Sequence, residues 1–408
     1  MKIFISKFLF KKIFLQKRLR KIRPLFIFRI FTIIFFLNFF LVKSRAIDVS
    51  ARSAVIICAD SGDIIWGKNY EEPLAMASTT KIMTSLLALE EANASGNRSL
   101  EITEEIISVE GSSMGLKVGD KVDFETLAKG MLLPSGNDAA NATAILVCGS
   151  TEKFLARMNQ RAKEIGMKNT LFCTPSGLDK DNHHSTAIDM ALLGAYAMQN
   201  EEFAKIVSSK KSLADFEDSD KKVWLKNHNK LLDLYPFCVG IKTGFTEKAG
   251  RCLVSCAEKN GTRLVCVTLN APDDWNDHIA MYNFGFSQTK HIDFDDTNEK
   301  LEIKIKNGEP NILKIIGATK FSRTFKNDSD AQVKRSIQLF KNLKAPIVKG
   351  QCVGKITYEF NNKIIGENLL LASHDVKAVK VNFFKKIWNA ISSFFKNIFE
   401  FTKKIFIK

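Results

Sequence analysis

The sequence predicts a mixed α/β body, a smaller all-β body behind it and an amphipathic helix at the end. Three observations carry this. From residue 47 to about 288 helical and strand patterns alternate. From 290 to 378 the pattern shortens to alternating strands separated by turn residues. From 381 to 408 aromatic and aliphatic residues recur every three or four positions. At 408 residues the chain can hold two domains with cores of their own. It shows no internal repeat and no long low-complexity linker.

The elements follow in order. Nine cations precede Leu25, an apolar run extends from Phe31 to Val42, and Ser44-Arg45-Ala46 puts small residues where a signal peptidase reads. The expectation is a secretory signal over residues 1–46, cleaved after Ala46. Retention as an anchor is the alternative: Leu25 to Val42 reaches the lower limit of a membrane span, against which Arg29 and Asn38 count. A first hairpin is expected near 54–67, turning at Asp60-Ser61-Gly62-Asp63. A buried helix follows Ser78 through Ile82, Met83, Leu86, Leu87 and Leu89, and further helices are expected around 124–133 and 138–148. Strands near 251–257 and 262–270 flank an Asn260-Gly261 turn, with a helix after Pro272. In the all-β body the expected strands include Leu301 to Ile305, Gln351 to Phe360 and Leu369 to Ala372, with turns at Asn307-Gly308 and Lys349-Gly350. Finally Phe384, Trp388, Ile391, Phe395, Ile398, Thr402 and Ile405 line one helix face, with lysines and polar residues between them. This is the pattern of a helix lying in a lipid interface, the alternative being packing on protein.

The charge of +16 resides at the ends. Residues 1–46 hold twelve Lys and Arg and no acid, and residues 381–408 hold six Lys against Glu400, which leaves the body between close to neutral. Membrane surfaces, not nucleic acid, are the expected partner of such a distribution. The eight cysteines form no C-x-x-C pair and no zinc spacing, and are expected as buried free thiols. The six histidines lie in no metal-binding pattern, so no metal and no cofactor is expected. For His183 and His228 a structural hydrogen bond is the expected role.

Three short motifs carry chemistry: Ser78-Thr79-Thr80-Lys81, Ser135-Gly136-Asn137 and Lys242-Thr243-Gly244. A serine and a lysine three apart on a helix share a face, so the amine reaches the hydroxyl. Lysine serves as the serine's base only if burial or a second cation lowers its pKa, and Lys242 is the evident second cation. Taken singly each motif is weak, since it also reads as a helix cap, a turn or a strand end. Their order and intervals make them one site.

The S-x-x-K, S-D-N and K-T-G set is shared by class A β-lactamases and penicillin-binding proteins, although Gly136 stands here in place of the aspartate. The surrounding text resembles the low-molecular-mass penicillin-binding proteins, the serine D-alanyl-D-alanine carboxypeptidases of peptidase family S11. The stretches are A-M-A-S-T-T-K-I-M-T at 75–84, L-L-P-S-G-N-D-A-A at 132–140 and G-I-K-T-G-F-T at 240–246, joined by 54–69, 174–178 with 183–190, and 227–232. The likeness covers roughly residues 50 to 378. It implies a penicillin-binding/β-lactamase-like transpeptidase fold, an antiparallel sheet with helices. That domain would occupy 47–288, followed by a small all-β domain at 290–378 and a membrane-anchoring helix at 381–408. The implied reaction removes the terminal D-Ala from peptidoglycan stem pentapeptides through a serine acyl-enzyme, with β-lactam antibiotics as covalent inhibitors.

In that reading Ser78 is the nucleophile, Lys81 its base and Ser135 a proton relay to the leaving amine. Asn137 fixes the peptide amide, and Lys242 and Thr243 take the substrate carboxylate beside Gly244. The backbone N–H groups of Ser78 and Phe245 hold the oxyanion. The protein would be exported and sit peripherally on the outer face of the bacterial cytoplasmic membrane. Two alternatives stand beside this one. A serine β-lactamase is disfavoured because Glu164-Ile165-Gly166-Met167-Lys168 does not fit E-x-x-L-N, and a non-catalytic wall-binding protein is disfavoured because every expected catalytic side chain is present.

Overall fold

The computed structural model describes residues 47–406 apart from 219, 328–332 and 380–382; the expected signal, residues 1–46, lies outside the described residues. A five-stranded antiparallel sheet runs in the order Ile64–Lys68, Ser53–Cys58, Thr262–Leu269, Gly250–Lys259, Cys238–Thr246. Its central strands are apolar on both faces because helices cover both. Helix Ala187–Ala197 approaches Val254 and Val265 through Gly194, and helix Asp274–Ser287 approaches Ile56 and Leu264 on the opposite face through Gly285. A Cβ at either glycine would press on those side chains.

Against this sheet stands a helical cluster of Lys81–Ser95, Phe124–Leu132, Asn137–Cys148 and Thr151–Ile165. The first of these is buried on every side from Lys81 to Leu89, which makes it the axis of the cluster. Side-chain caps start several helices: Asp123 accepts from Thr126 N, Ser150 from Lys153 N and Asn200 from Phe203 N. The expected first hairpin, the Asn260-Gly261 turn and the helix after Pro272 are all present.

The all-β body holds a five-stranded sheet in the order Leu301–Lys304, Ile312–Gly317, Lys363–Ala372, Cys352–Phe360, Lys334–Leu339. Leu313, Ile315, Ile356, Tyr358 and Leu370 form its core. The buried Asp296 carboxylate accepts from Tyr358, Asn368 and Arg335, which pins the chain ahead of the sheet to its strands. Asp60 of the first hairpin accepts from Thr324 N at 2.7 Å, a direct tie between the two bodies. Helix Phe383–Phe406 closes the described chain, and no helix among the described residues is long and apolar enough to cross a membrane. All eight cysteines are free thiols, with Cys58, Cys252, Cys256 and Cys266 buried.

Candidate active site

The site forms where the helical cluster meets strand Cys238–Thr246. Ser78 lies in the 3-10 turn Ala77–Thr80 that leads into helix Lys81–Ser95, the helix N-terminus the sequence predicts. The turn is entered through Ala77 in the left-handed region, φ 49°. Bracing keeps it there. Thr79 Oγ1 donates to Met76 O at 2.6 Å and Thr80 Oγ1 to Ala77 O at 2.9 Å. His183 Nδ1 accepts from Cys173 N at 2.9 Å, so its proton sits on Nε2 and is donated to Thr80 Oγ1 at 2.8 Å. Burial pushes the His183 imidazole down to about 4, which keeps it neutral in this chain of bonds. The imidazole braces the turn that carries Ser78.

Lys81 is fully buried, and its Nζ has three neighbours. Ser78 Oγ lies at 2.9 Å, Asn137 Oδ1 at 2.7 Å and the Ser176 carbonyl at 2.6 Å. Burial first, then the charge of Lys242, holds this amine well below the ordinary lysine range, while Asp138 pulls the other way. A neutral amine has two N–H bonds and one lone pair. The two fixed acceptors, Asn137 Oδ1 and Ser176 O, take the N–H bonds and leave the lone pair facing Ser78.

Ser176 contributes only a carbonyl, and the turn that presents it is held close to Ser78. At Gly177, φ 86°, a Cβ would stand 2.0 Å from Ala77 O. The sequence marks no role for this stretch, because a backbone acceptor leaves no trace in residue type.

Ser135 sits at φ 67° ahead of helix Asn137–Cys148 and lines the same groove as Ser78. Asn137 is locked from both sides: its N donates to Ser112 O at 2.7 Å and its Nδ2 to Glu110 O at 2.7 Å. Gly136 replaces the aspartate of the wider motif set for a steric reason. A Cβ there would lie 2.7 Å from Asp138 Oδ1 and 2.9 Å from Met114 N.

Lys242 is buried, its Nζ donates to Thr243 O at 2.8 Å, and burial lowers it to about 7. Gly244 lets the strand backbone meet the turn that carries Ser78, since a Cβ there would be 3.1 Å from both Ser78 N and Thr79 N. Phe245 follows with its ring exposed.

Ser78, Ser135, Thr243, Gly244 and Phe245 share a groove of about 800 Å³. Lys81, Asn137 and Lys242 lie buried behind it. All eight sequence-predicted residues therefore gather at one place. The groove also takes in His228, Arg251 and Trp275, for which sequence reading gave no binding role. His228 is lowered by burial and by Lys242 and Lys226. Arg251 is bidentate to Asp274 at 2.7–3.0 Å and its guanidinium lies 5.3 Å from the Trp275 ring centre.

Comparison with known proteins gives a consistent result. Residues 41–273 match the family described as D-alanyl-D-alanine carboxypeptidase, and residues 286–378 match the penicillin-binding protein 5 C-terminal domain. The chain is 35% identical to the D-alanyl-D-alanine carboxypeptidase DacF of Bacillus subtilis, over 80% of this chain and 86% of that protein. It is 32% identical to DacC of Escherichia coli, over 85% of this chain and 89% of that one. Among solved structures, penicillin binding protein 5 from Haemophilus influenzae is similar with a TM-score of 0.60 at 29% identity, covering 81% of this chain and 98% of that chain. DacD from Francisella tularensis gives a TM-score of 0.58 at 28% identity, covering 83% and 98%.

Proposed function

The chain belongs to the D-alanyl-D-alanine carboxypeptidases of peptidase family S11, and from that membership we propose how its own residues carry the reaction. It is a serine-type, penicillin-sensitive hydrolase acting on peptidoglycan stem peptides that end in D-Ala-D-Ala. The β-lactamase alternative is not favoured by these relatives.

Ser78 Oγ attacks the carbonyl of the penultimate D-alanine while its proton passes to Lys81 Nζ. The observation that carries this assignment is the Lys81 environment, in which two acceptors occupy the N–H positions and the third position faces Ser78 at 2.9 Å. Negative charge developing on the carbonyl oxygen is held by the N–H groups of Ser78 and Phe245. The close passage of Gly244 beside Ser78 supports this pairing. Losing one such donor typically costs ~10²–10³ in turnover. Ser135 hands a proton to the leaving D-alanine nitrogen, Asn137 orients the peptide amide, and Lys242 and Thr243 receive the terminal carboxylate as a charge and a hydroxyl. Water then hydrolyses the ester on Ser78. The test is D-alanine release from a muropeptide ending in D-Ala-D-Ala, with penicillin turnover followed in parallel. Ser78→Ala is expected to abolish release, and rapid penicillin hydrolysis without D-alanine release would contradict the assignment.

Residues 1–46 act as an export signal, and a mature N-terminus at Ile47, found by mass spectrometry of the native protein, is the expected result. The catalytic domain spans 47–288 and the β domain 290–378. Helix Phe383–Phe406 holds the enzyme peripherally on the outer face of the cytoplasmic membrane. Support for the last comes from Trp388, Ile391, Phe394, Phe395 and Ile398, all exposed and spaced to lie along one face. Flotation with anionic vesicles is expected for residues 47–408 and not for residues 47–380; equal flotation of both would refute it.

A further inference from the structure

Asp138 is a buried acid that the mechanism above leaves unused. It is 2% exposed and follows Asn137 directly in the first turn of helix Asn137–Cys148. Its two oxygens accept five hydrogen bonds. Oδ1 takes Met114 N at 3.0 Å and Ala139 N at 2.9 Å; Oδ2 takes Ser113 Oγ at 2.5 Å, Leu116 N at 3.1 Å and Gly115 N at 3.2 Å. Four of the five donors belong to residues 113–116. The residues just before them, Glu110 and Ser112, supply the carbonyls that fix Asn137 through Nδ2 and N, and Ser112 also lines the catalytic groove.

We propose that Asp138 is a positioning residue of the reaction: it clamps the 110–116 segment so that Asn137 is oriented and, through Asn137 Oδ1, the Lys81 amine is aimed at Ser78. The chain of contacts is continuous, from the Asp138 carboxylate to the segment, from the segment to the Asn137 amide, and from Asn137 Oδ1 to Lys81 Nζ at 2.7 Å. Only a carboxylate can serve. An amide in its place would put an NH₂ against at least two N–H donors whichever way it is turned. A second action runs through charge. Besides burial, Lys242 pushes the Lys81 pKa down and Asp138 pushes it up, so the acid tunes the base as well as placing its partner.

The inference rests on the acyl-enzyme reading, and the experiment separates the two. Acylation of the enzyme, residues 47–408, by a fluorescent penicillin is followed from pH 4 to 10 for wild type, Ser78→Ala, Asp138→Asn and Ser113→Ala, each rate being divided by the folded fraction from circular dichroism. No labelling of wild type, or labelling that survives Ser78→Ala, defeats the acyl-enzyme reading itself. With that reading intact, Asp138→Asn is expected to lose at least tenfold in the plateau rate and to move its acid limb to lower pH, because Lys81 has lost an anion that stabilises its charge. Ser113→Ala keeps the charge and weakens the clamp, so its plateau falls about three- to tenfold with the limb unmoved. An Asp138→Asn enzyme with an unshifted limb and a wild-type rate per folded molecule overturns the proposal. If that variant does not fold, a wild-type rate in Ser113→Ala overturns it.

Discussion

Replacing Gly177 by alanine tests whether the Pro175–Gly177 turn sets the position of Ser78. Alanine adds a single methyl group, which would lie 2.0 Å from Ala77 O, 2.6 Å from its carbonyl carbon and 2.8 Å from Thr80 Oγ1. Non-bonded heavy atoms prefer about 3.5 Å, so the Ala77 carbonyl and the turn must part by at least ~1 Å. Both sides of that gap hold groups of the proposed site: Ala77 precedes Ser78, and Ser176 O anchors Lys81 at 2.6 Å. A 1 Å misplacement costs on the order of 10²-fold in rate. The left-handed backbone at φ 86° adds about 1–2 kcal/mol of strain for a residue with a Cβ, and forced overpacking adds about 1–3 kcal/mol. At about 2–4 °C per kcal/mol for a domain of this size, the thermal midpoint should fall by roughly 5–15 °C. The assay is penicillin acylation well below the midpoint, with active sites counted by burst titration. A Gly177→Ala enzyme with normal stability and a normal rate per site would refute the reasoning.

Other expectations follow from the charges. Removing the Lys242 cation in Lys242→Met takes away a group that lowers Lys81, so the acid limb of penicillin acylation should move to higher pH; burial lowers Lys242 to about 7, so the wild type is expected to show an alkaline limb there that the variant lacks. A limb that moves the other way in the same pH series would contradict this. His278 is buried between Ser255 Oγ and Thr268 Oγ1 and its imidazole is pushed down to about 3, chiefly by burial. The unfolded chain takes a proton near 6.5 that the folded one refuses, so stability present above pH 6.5 is lost as pH falls toward 3, and His183 acts in the same sense down to about 4. Calorimetric midpoints measured from pH 7 to 4 should decline, and more shallowly in His278→Gln. Arg251→Ala strands the Asp274 carboxylate, which is 3% exposed; the loss should be about 1–3 kcal/mol, below that of a fully buried pair because the guanidinium is 41% exposed. Adding Asp274→Asn should recover most of it in urea denaturation, and additive losses would disprove the pairing.

Much of this protein was legible in its sequence because the relevant signals are local. Ser78 and Lys81 are one helical turn apart, so their meeting follows from helix geometry alone. The continuous apolar strands at 250–269 and the Asn260-Gly261 turn are written in residue type. Helix Thr151–Ile165 also carries a local signal, with Phe154, Met158 and Ala162 buried at fourfold spacing, although it is not among the helices expected from sequence. Helix Ala187–Ala197 was hidden for a physical reason: packed against the sheet, it is apolar nearly all round and shows no amphipathic period.

The sequence by itself determined which side chains are on hand to react, since a serine and lysine one helical turn apart, a serine and an amide, and a lysine and threonine stand in three motifs in fixed order. Only the tertiary structure decided how they are aimed. The Ser176 carbonyl 95 residues from Lys81, the His183–Thr80 brace across 103 residues and the five-donor cradle of Asp138 depend on the packing of distant segments. Several of these partners are backbone carbonyls and N–H groups. Every residue has those, so no letter of the sequence marks the ones that matter; they acquire a role only when the fold buries them beside a charge.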